Sequence, residues 1–435
     1  MIERGFAEVN NRHVHWRAAG SGPVVVLLHE SPRSSTSLLP LLSHLSQHFC
    51  CIAFDTPGYG ASDPLDNGQG AIADFSSTLL AAVARLGIQR FALYGTHTGA
   101  AIATQMALSA PERVTALVTD GLAMFTPAEQ KTMLEHYLID HDPQWDGSHL
   151  NRIWSRILDQ STFFPFYDRT ESARLPVPNN DLAFMVRSCV GFLEAANHYR
   201  TGYQAAICYD ANHYLNQIEV PTKLHCKTQD LLTSHLERAD ATNTLVCKTD
   251  EPLSAENWLG ETTQWFLQHP GQNGCAGELP QHASRVFVLD DNGAVYAAKG
   301  TGSGILFVDR TGTALTNGLF GTPQNTDQAA WFVDAPSRGV NAMVNYEYKQ
   351  IASKLGDEAW TVSAPSEPPR LPEVSYDGAF LTSSWFAVRD NSLGITRDRT
   401  ASSALHPTVG TPALDSIVAG QLAMLYSELR HLIPI

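Results

Sequence analysis

Residues 90–114 read RFALYGTHTGAAIATQMALSAPERV. A short apolar run closes at Gly95, and from Thr98 a series of small apolar residues at helical spacing continues to Ala110. Strand and helix are therefore separated by a single abrupt turn whose centre is His97. Gly95 and Gly99 flank that centre, and glycine tolerates backbone conformations closed to other residues.

The same rhythm extends to both sides. Upstream, PVVVLLHESP from Pro23 is a continuous apolar run of the kind that is buried on both faces of a parallel sheet. FCCIAF follows at 49–54, ends in Asp55 and turns through TPGYGASD, and ADFSSTLLAAVARLG at 73–87 is a helix with a glycine at its end. Downstream, TALVTDG at 115–121 is another strand. The alternation predicts an α/β domain with a parallel sheet and right-handed crossovers. In such sheets the chemistry lies at the carboxyl ends of the strands, here His29-Glu30-Ser31-Pro32, Asp55-Thr56-Pro57-Gly58-Tyr59-Gly60 and Gly95-Thr96-His97-Thr98-Gly99.

Taken together, these three segments resemble the strand-end signatures of the α/β-hydrolase family: the turn after a histidine that holds the oxyanion hole, the D-x-P-G-x-G loop and the nucleophile elbow G-x-S-x-G. The resemblance covers residues 1–270. It runs through a helical insertion at about 122–215, where the family places its lid, to the strand VPTKLHCKTQD, whose Asp230 stands where the family often carries its triad acid. It implies an α/β-hydrolase fold with a helical lid, a small-molecule substrate, and backbone N–H donors at Ser31 and Thr98.

The departures bear on mechanism. His97 occupies the place of the serine, cysteine or aspartate nucleophile, and the segment after the last strand, TLVCKTDEPLSAENW, has Thr249, Asp250 and Glu251 but no histidine. Glu30 replaces the glycine of the oxyanion turn, where a carboxylate opposes developing negative charge unless it is protonated or turned away. At the start of a helix, the dipole is expected to lower the pKa of His97 and leave a neutral imidazole suited to act as base or nucleophile. Asp230 and Asp120 both end strands and are the candidates to orient it. The lid segment WDGSHLNRIWSRILDQSTFFPFYDRT is rich in aromatics, with His149, Trp154, Phe163, Phe164 and Phe166 as candidates to line a pocket with His29 and Glu30. His29, Glu30, His97 and His149 are not related by H-x-x-x-H or H-x-E spacing, so neither metal nor cofactor is expected.

Composition narrows the class. Forty-four acidic against 29 basic residues give a net charge of −15, which repels a phosphate backbone and argues against a nucleic-acid partner. The polar N-terminal segment and the absence of a long apolar run lead to the expectation of a cytoplasmic protein without a membrane span. Seven cysteines, two of them adjacent in an apolar strand, point to buried thiols in place of a disulfide framework. The expected function is an enzyme of this superfamily that moves protons on a small, fairly apolar organic molecule, by hydrolysis or by lyase or isomerase chemistry. The alternative is a non-catalytic ligand-binding or scaffold protein.

The second half repeats the first. After a linker at 271–284, Gly20, Gly22 and His29 align with Gly300, Gly302 and Asp309. Asp55, Pro57 and Gly60 align with Asp334, Pro336 and Gly339, and Leu86-Gly87 with Leu355-Gly356. The second copy then omits the elbow and resumes in the lid, where Gly147, Leu150, Trp154 and Asp159 fall on Gly378, Leu381, Trp385 and Asp390, and Asp168-Arg169-Thr170 on Asp398-Arg399-Thr400. Collinear order over this length predicts a truncated, decayed α/β-hydrolase-like repeat at 285–435. Ser366 near the elbow position lacks both glycines and is followed by Pro368 and Pro369, and Phe380 replaces His149, so this half is expected to be catalytically silent and to pack on the first as a pseudo-dimer.

Overall fold

The apolar runs become the middle of a mixed sheet in the computed structural model, which describes residues 2–65, 70–179, 181–280, 282, 286–290, 295–299, 304–308, 332–333, 374–392, 421, 422 and 425. β1 (Glu3–Val9) and β2 (Arg12–Ala19) pair as an antiparallel hairpin. β3 (Ser21–Leu28), β4 (Cys50–Phe54), β5 (Phe91–Thr96), β6 (Val114–Asp120), β7 (Thr222–His225) and β8 (Val246–Lys248) then run parallel, giving the order β1-β2-β4-β3-β5-β6-β7-β8.

Alternate residues of the runs serve opposite faces, as the twofold period of a strand requires. Val24, Val26, Leu28 and Ile52 face a core shared with α2 (Ile72–Arg85) and α3 (Thr98–Ser109). Val25, Leu27, Cys51 and Ala53 face a second core with α1 (Leu39–Leu45) and α10 (Ala255–Gln268), where Leu42, Trp258 and Phe266 pack. Both faces of the central strands are therefore covered, which is why those strands read as uninterrupted apolar runs. From β3 the chain moves to β4 on one side and later to β5 on the other. That reversal opens a crevice at the carboxyl ends of β3 and β5.

Between β6 and β7 lies the helical insertion: α4 (Pro127–His136), α5 (Ser148–Gln160), α6 (Leu182–Ala195), α7 (Tyr199–Ile207) and α8 (Ala211–Leu215). α4 begins with a capping box in which Thr126 and Glu129 bond each other's backbone N–H. α9 (Thr233–Glu237) follows β7. The chain divides into two compact units that interleave in sequence: residues 1–140, 159–179 and 194–282 form the first, and residues 141–158, 180–193 and 283–435 the second. The sequence reading places a single boundary near 270, with a linker after it. Part of that linker segment instead forms β9 (Asn273–Cys275), which pairs antiparallel with the start of β3.

In the second unit, β10 (Val286–Asp290) pairs antiparallel with β11 (Val295–Lys299) and parallel with β12 (Gly304–Val308), while β11 pairs antiparallel with β13 (Phe332–Val333). The hairpin and the β11–β13 pairing correspond to β1–β2 and β2–β4. β12 lies beside β10, whereas its sequence counterpart β3 lies beside β4. Gly300, Gly302, Asp309, Asp334, Ser366, Pro368 and Pro369 lie outside the described residues. α11 (Ala379–Ser392) also belongs to the second unit. No helix among the described residues is long and apolar enough to cross a membrane. All seven cysteines are free thiols, Cys50, Cys51, Cys189 and Cys226 being buried.

Candidate active site

The turn at 95–99 has the strained geometry that the glycines imply. His97 sits at φ 49° and ψ −113°, outside the regions open to most side chains, as the cap residue of α3. A side chain on Gly95 would meet the carbonyl of Gly99 at 2.2 Å, and one on Gly99 would meet the carbonyl of Leu28 at 2.3 Å, so helix and strand are in direct contact there. The backbone N–H of His97 bonds the carbonyl of Asp120 at the end of β6, which ties the elbow to the next strand.

From the end of β7 the chain passes through Gln229, itself at φ 68°, and brings Asp230 to the imidazole. Both carboxylate oxygens of Asp230 lie 2.9 Å from His97 Nε2. The N–H of Leu232 donates to Asp230 Oδ1 at 2.9 Å and fixes the carboxylate. With Nε2–H committed to Asp230, Nδ1 of His97 has no hydrogen-bond partner among the described residues and is the nitrogen left to exchange a proton. About a quarter of the His97 side chain is exposed. Gly121 makes room for the pair: a side chain there would come within 2.7 Å of His97 Cδ2 and 3.3 Å of Asp230 Oδ1.

The electrostatics reverse one expectation. Burial opposes charge on His97, but Asp230, with smaller contributions from Glu30 and Asp120, outweighs it and raises the pKa above the usual 6.5. The helix dipole alone would have lowered it; a carboxylate at hydrogen-bond distance is the stronger influence. For Asp230, burial is likewise overcome, chiefly by His97, and its carboxyl titrates well below the ordinary range.

Glu30 is neither protonated nor unpaired. Burial would raise its pKa, yet Arg33, 2.5 Å away, pulls the net value below 4.5, and Ser37 Oγ donates to its other oxygen at 3.0 Å. Ser31 and Thr98 are both buried at the crevice, Thr98 as the first residue of α3. Ser31 is braced on two sides: its Oγ donates to Tyr59 in the loop after β4, and Tyr203 Oη from the insertion donates to its carbonyl at 2.7 Å.

The Asp120 carboxylate does not bond the His97 imidazole. It accepts from Tyr94 Oη at 2.7 Å and pairs with Lys227 at 2.9 Å, whose ammonium also lies over the Trp258 ring. Burial disfavours the Lys227 charge, but Asp120 raises its pKa above 10.5. Asp120 is thus a counter-ion beneath the site, in place of the orienting acid considered from the sequence. His29 is a strut. Its Nε2 accepts from the N–H of Thr56 at 2.9 Å and its Nδ1–H donates to the carbonyl of Glu30 at 2.8 Å, which leaves no nitrogen for a ligand; burial lowers its pKa.

His149 and Trp154 belong to the second unit, where packing takes up their side chains: His149 lies edge-on to Trp385, and Trp154 donates to the carbonyl of Tyr376. Phe164 and Phe166 join the insertion's own cluster with Met133, Tyr137 and Ile207, and Phe163 lies under the Arg174 guanidinium. Lys227, Arg33, Tyr94 and Tyr203 were not found from the sequence. Only Lys227, three residues before Asp230 on the same strand end, carried a positional signal. Among the described residues no group of three or more His, Cys, Asp or Glu side chains is arranged to hold a metal ion.

A family model described as alpha/beta hydrolase fold matches residues 23–269, more than half of the chain. The chain belongs to the α/β-hydrolase fold family. This hydrolase-fold protein is 35% identical over 120 residues to epoxide hydrolase 3 of Siraitia grosvenorii, a match that covers 27% of this chain and 38% of that one. It is 33% identical over 107 residues to a pimeloyl-[acyl-carrier protein] methyl ester esterase of Pectobacterium carotovorum, covering 24% and 40%. The matches thus span about two fifths of the length of these curated relatives. The crystal structure of an epoxide hydrolase from Vigna radiata aligns at 18% identity with a TM-score of 0.47, over 61% of this chain and 98% of the other.

Proposed function

We propose that this α/β-hydrolase-fold protein is an enzyme of non-serine mechanism. In it, His97 Nδ1 takes and returns a proton on a small, fairly apolar organic substrate or on a water attacking it. The observation that carries the reading is the His97–Asp230 pair at the elbow, with one ring nitrogen held by the acid and the other open. Asp230 fixes the tautomer and stabilises the imidazolium that forms when Nδ1 accepts a proton. Glu30 and Asp120 act in the same direction, so the local field favours proton abstraction by His97. Negative charge left on the substrate would meet the N–H groups of Ser31 and Thr98 and the N-terminal end of α3, while Arg33 compensates Glu30. Hydrolysis fits the superfamily; the same groups would serve a lyase or an isomerase, because each needs a proton moved at one atom.

The test is turnover on a panel of small epoxides and methyl esters, the substrate classes in the names of the relatives. Replacing His97 with Ala is expected to cost about 10²–10⁴-fold in rate, with folding unchanged by circular dichroism. A fluorophosphonate probe is expected to leave the protein unlabelled. Unchanged turnover in His97→Ala, or stoichiometric labelling, rejects the proposal; ligand binding without turnover supports a non-catalytic binding protein instead.

A further inference from the structure

The second unit contains the two lid-like segments that the sequence aligns, and their contacts are reciprocal. Trp154 Nε1–H donates to the carbonyl of Tyr376 at 2.8 Å, and Trp385 Nε1–H donates to the carbonyl of Trp145 at 3.1 Å. In the alignment, Trp154 corresponds to Trp385, and Trp145 to Tyr376. The Trp154 ring meets Phe380 edge-on at 5.3 Å, and the Trp385 ring meets His149 edge-on at 4.7 Å; Phe380 and His149 are again equivalents. Each indole also lies against the partner's glycine. A side chain on Gly147 would come within 3.0 Å of Trp385 Cδ1, and one on Gly378 within 2.7 Å of Trp154 Cδ1.

The local geometry of the two copies matches as well. Gly147 and Gly378 have φ of 74° and 72°. The N–H of Gly147 bonds the carbonyl of Gln144, and that of Gly378 the carbonyl of Ser375. Asp146 accepts from the N–H of Ser148, and Asp377 from the N–H of Ala379. Leu150 and Leu381 are both buried. A contact in which residue i of one copy meets residue j of the other, while j meets i, is isologous, the pattern that a two-fold axis imposes on a homodimer. Unrelated segments that pack together have no reason to satisfy it at successive positions.

From this reciprocity we infer that residues 145–158 and 376–389 are two copies of one lid element paired across a pseudo-two-fold axis. On this reading the second half occupies, within the chain, the lid surface that a second copy of the chain would otherwise take. The inference is independent of the proposed chemistry at His97, and its test reads no activity.

Amide exchange of the full-length chain, followed by mass spectrometry, is the test. Trp154→Phe and Trp385→Phe each remove one indole donor and keep an aromatic ring. Each is expected to speed exchange about fivefold in both segments together, the factor for losing roughly one hydrogen bond. The combined exchange His149→Phe with Phe380→His interchanges the two unlike residues across the axis. It is expected to keep Tm within about 2 °C of the parent. Faster exchange confined to the mutated copy overturns the inference. So does a loss of stability in the interchanged variant as large as that of Trp154→Ala.

Discussion

At the scale of the residue, the proposed chemistry turns on how His97 is charged. Its pKa is raised and that of Asp230 is lowered, so the pair's contribution to stability has two limits. The histidine part is complete below its ordinary 6.5 and is lost as pH rises through its higher folded value. The aspartate part is complete above 3.8 and is lost as pH falls through its lower folded value. The difference in Tm between the parent and His97→Gln, followed from pH 3 to 9, is therefore expected to plateau between those values and decline on both sides; a flat difference would show that the pair is not ionic. For catalysis the dependence runs the other way, because a base must be unprotonated. kcat/KM is expected to rise through a limb above pH 6.5, and Asp230→Asn to move that limb to lower pH while lowering the maximum. Gly121 sets the space for both groups. Gly121→Ala places a methyl against His97 and Asp230, in a backbone at φ 65°, and is expected to reduce kcat by at least tenfold with the fold retained by circular dichroism.

At the scale of the element, the elbow depends on α3 approaching β3 more closely than a side chain would allow. Gly99→Ala is expected to cost about 3 kcal/mol or more in urea unfolding, since its new methyl would meet the carbonyls of Leu28 and His29 and the strained turn cannot yield. The turn at Ser31 is braced by helix α7 through Tyr203. Tyr203→Phe leaves packing almost intact but frees the Ser31 carbonyl, and is expected to lower kcat several-fold with little change in Tm. Much of this level was legible beforehand: the continuous apolar runs identify strands covered on both faces, and Gly95 and Gly99 identify the turn. β9 was not, because Asn-Gly-Cys carries no strand signal and pairs with β3 only through its backbone.

At the scale of the whole molecule, the second unit is assembled from parts of the insertion and residues 283–435. Deleting 283–435 removes Phe380 and Tyr376, the partners of the buried Trp154, and leaves apolar surface in α5 without cover. The shortened chain is expected to aggregate, or to bind a hydrophobic dye strongly, when measured by light scattering and dye fluorescence at equal concentration. A soluble, monomeric fragment with parent-like Tm would show that the insertion needs no second half.

The parallel strands, the turn at His97 and the alignment of Trp154 with Trp385 could be read without the fold, because they rest on periodicity, on glycine, and on repeated residues at fixed intervals. Which acid serves His97 was open in the sequence, since Asp120 and Asp230 both end strands. Tertiary structure separates them: Lys227 and Tyr94 claim Asp120, and the bend after β7 carries Asp230 to Nε2. The charge of His97 was also decided there. A helix start can be read from local sequence, but a carboxylate 133 residues away acts only through the fold that brings it within hydrogen-bond reach.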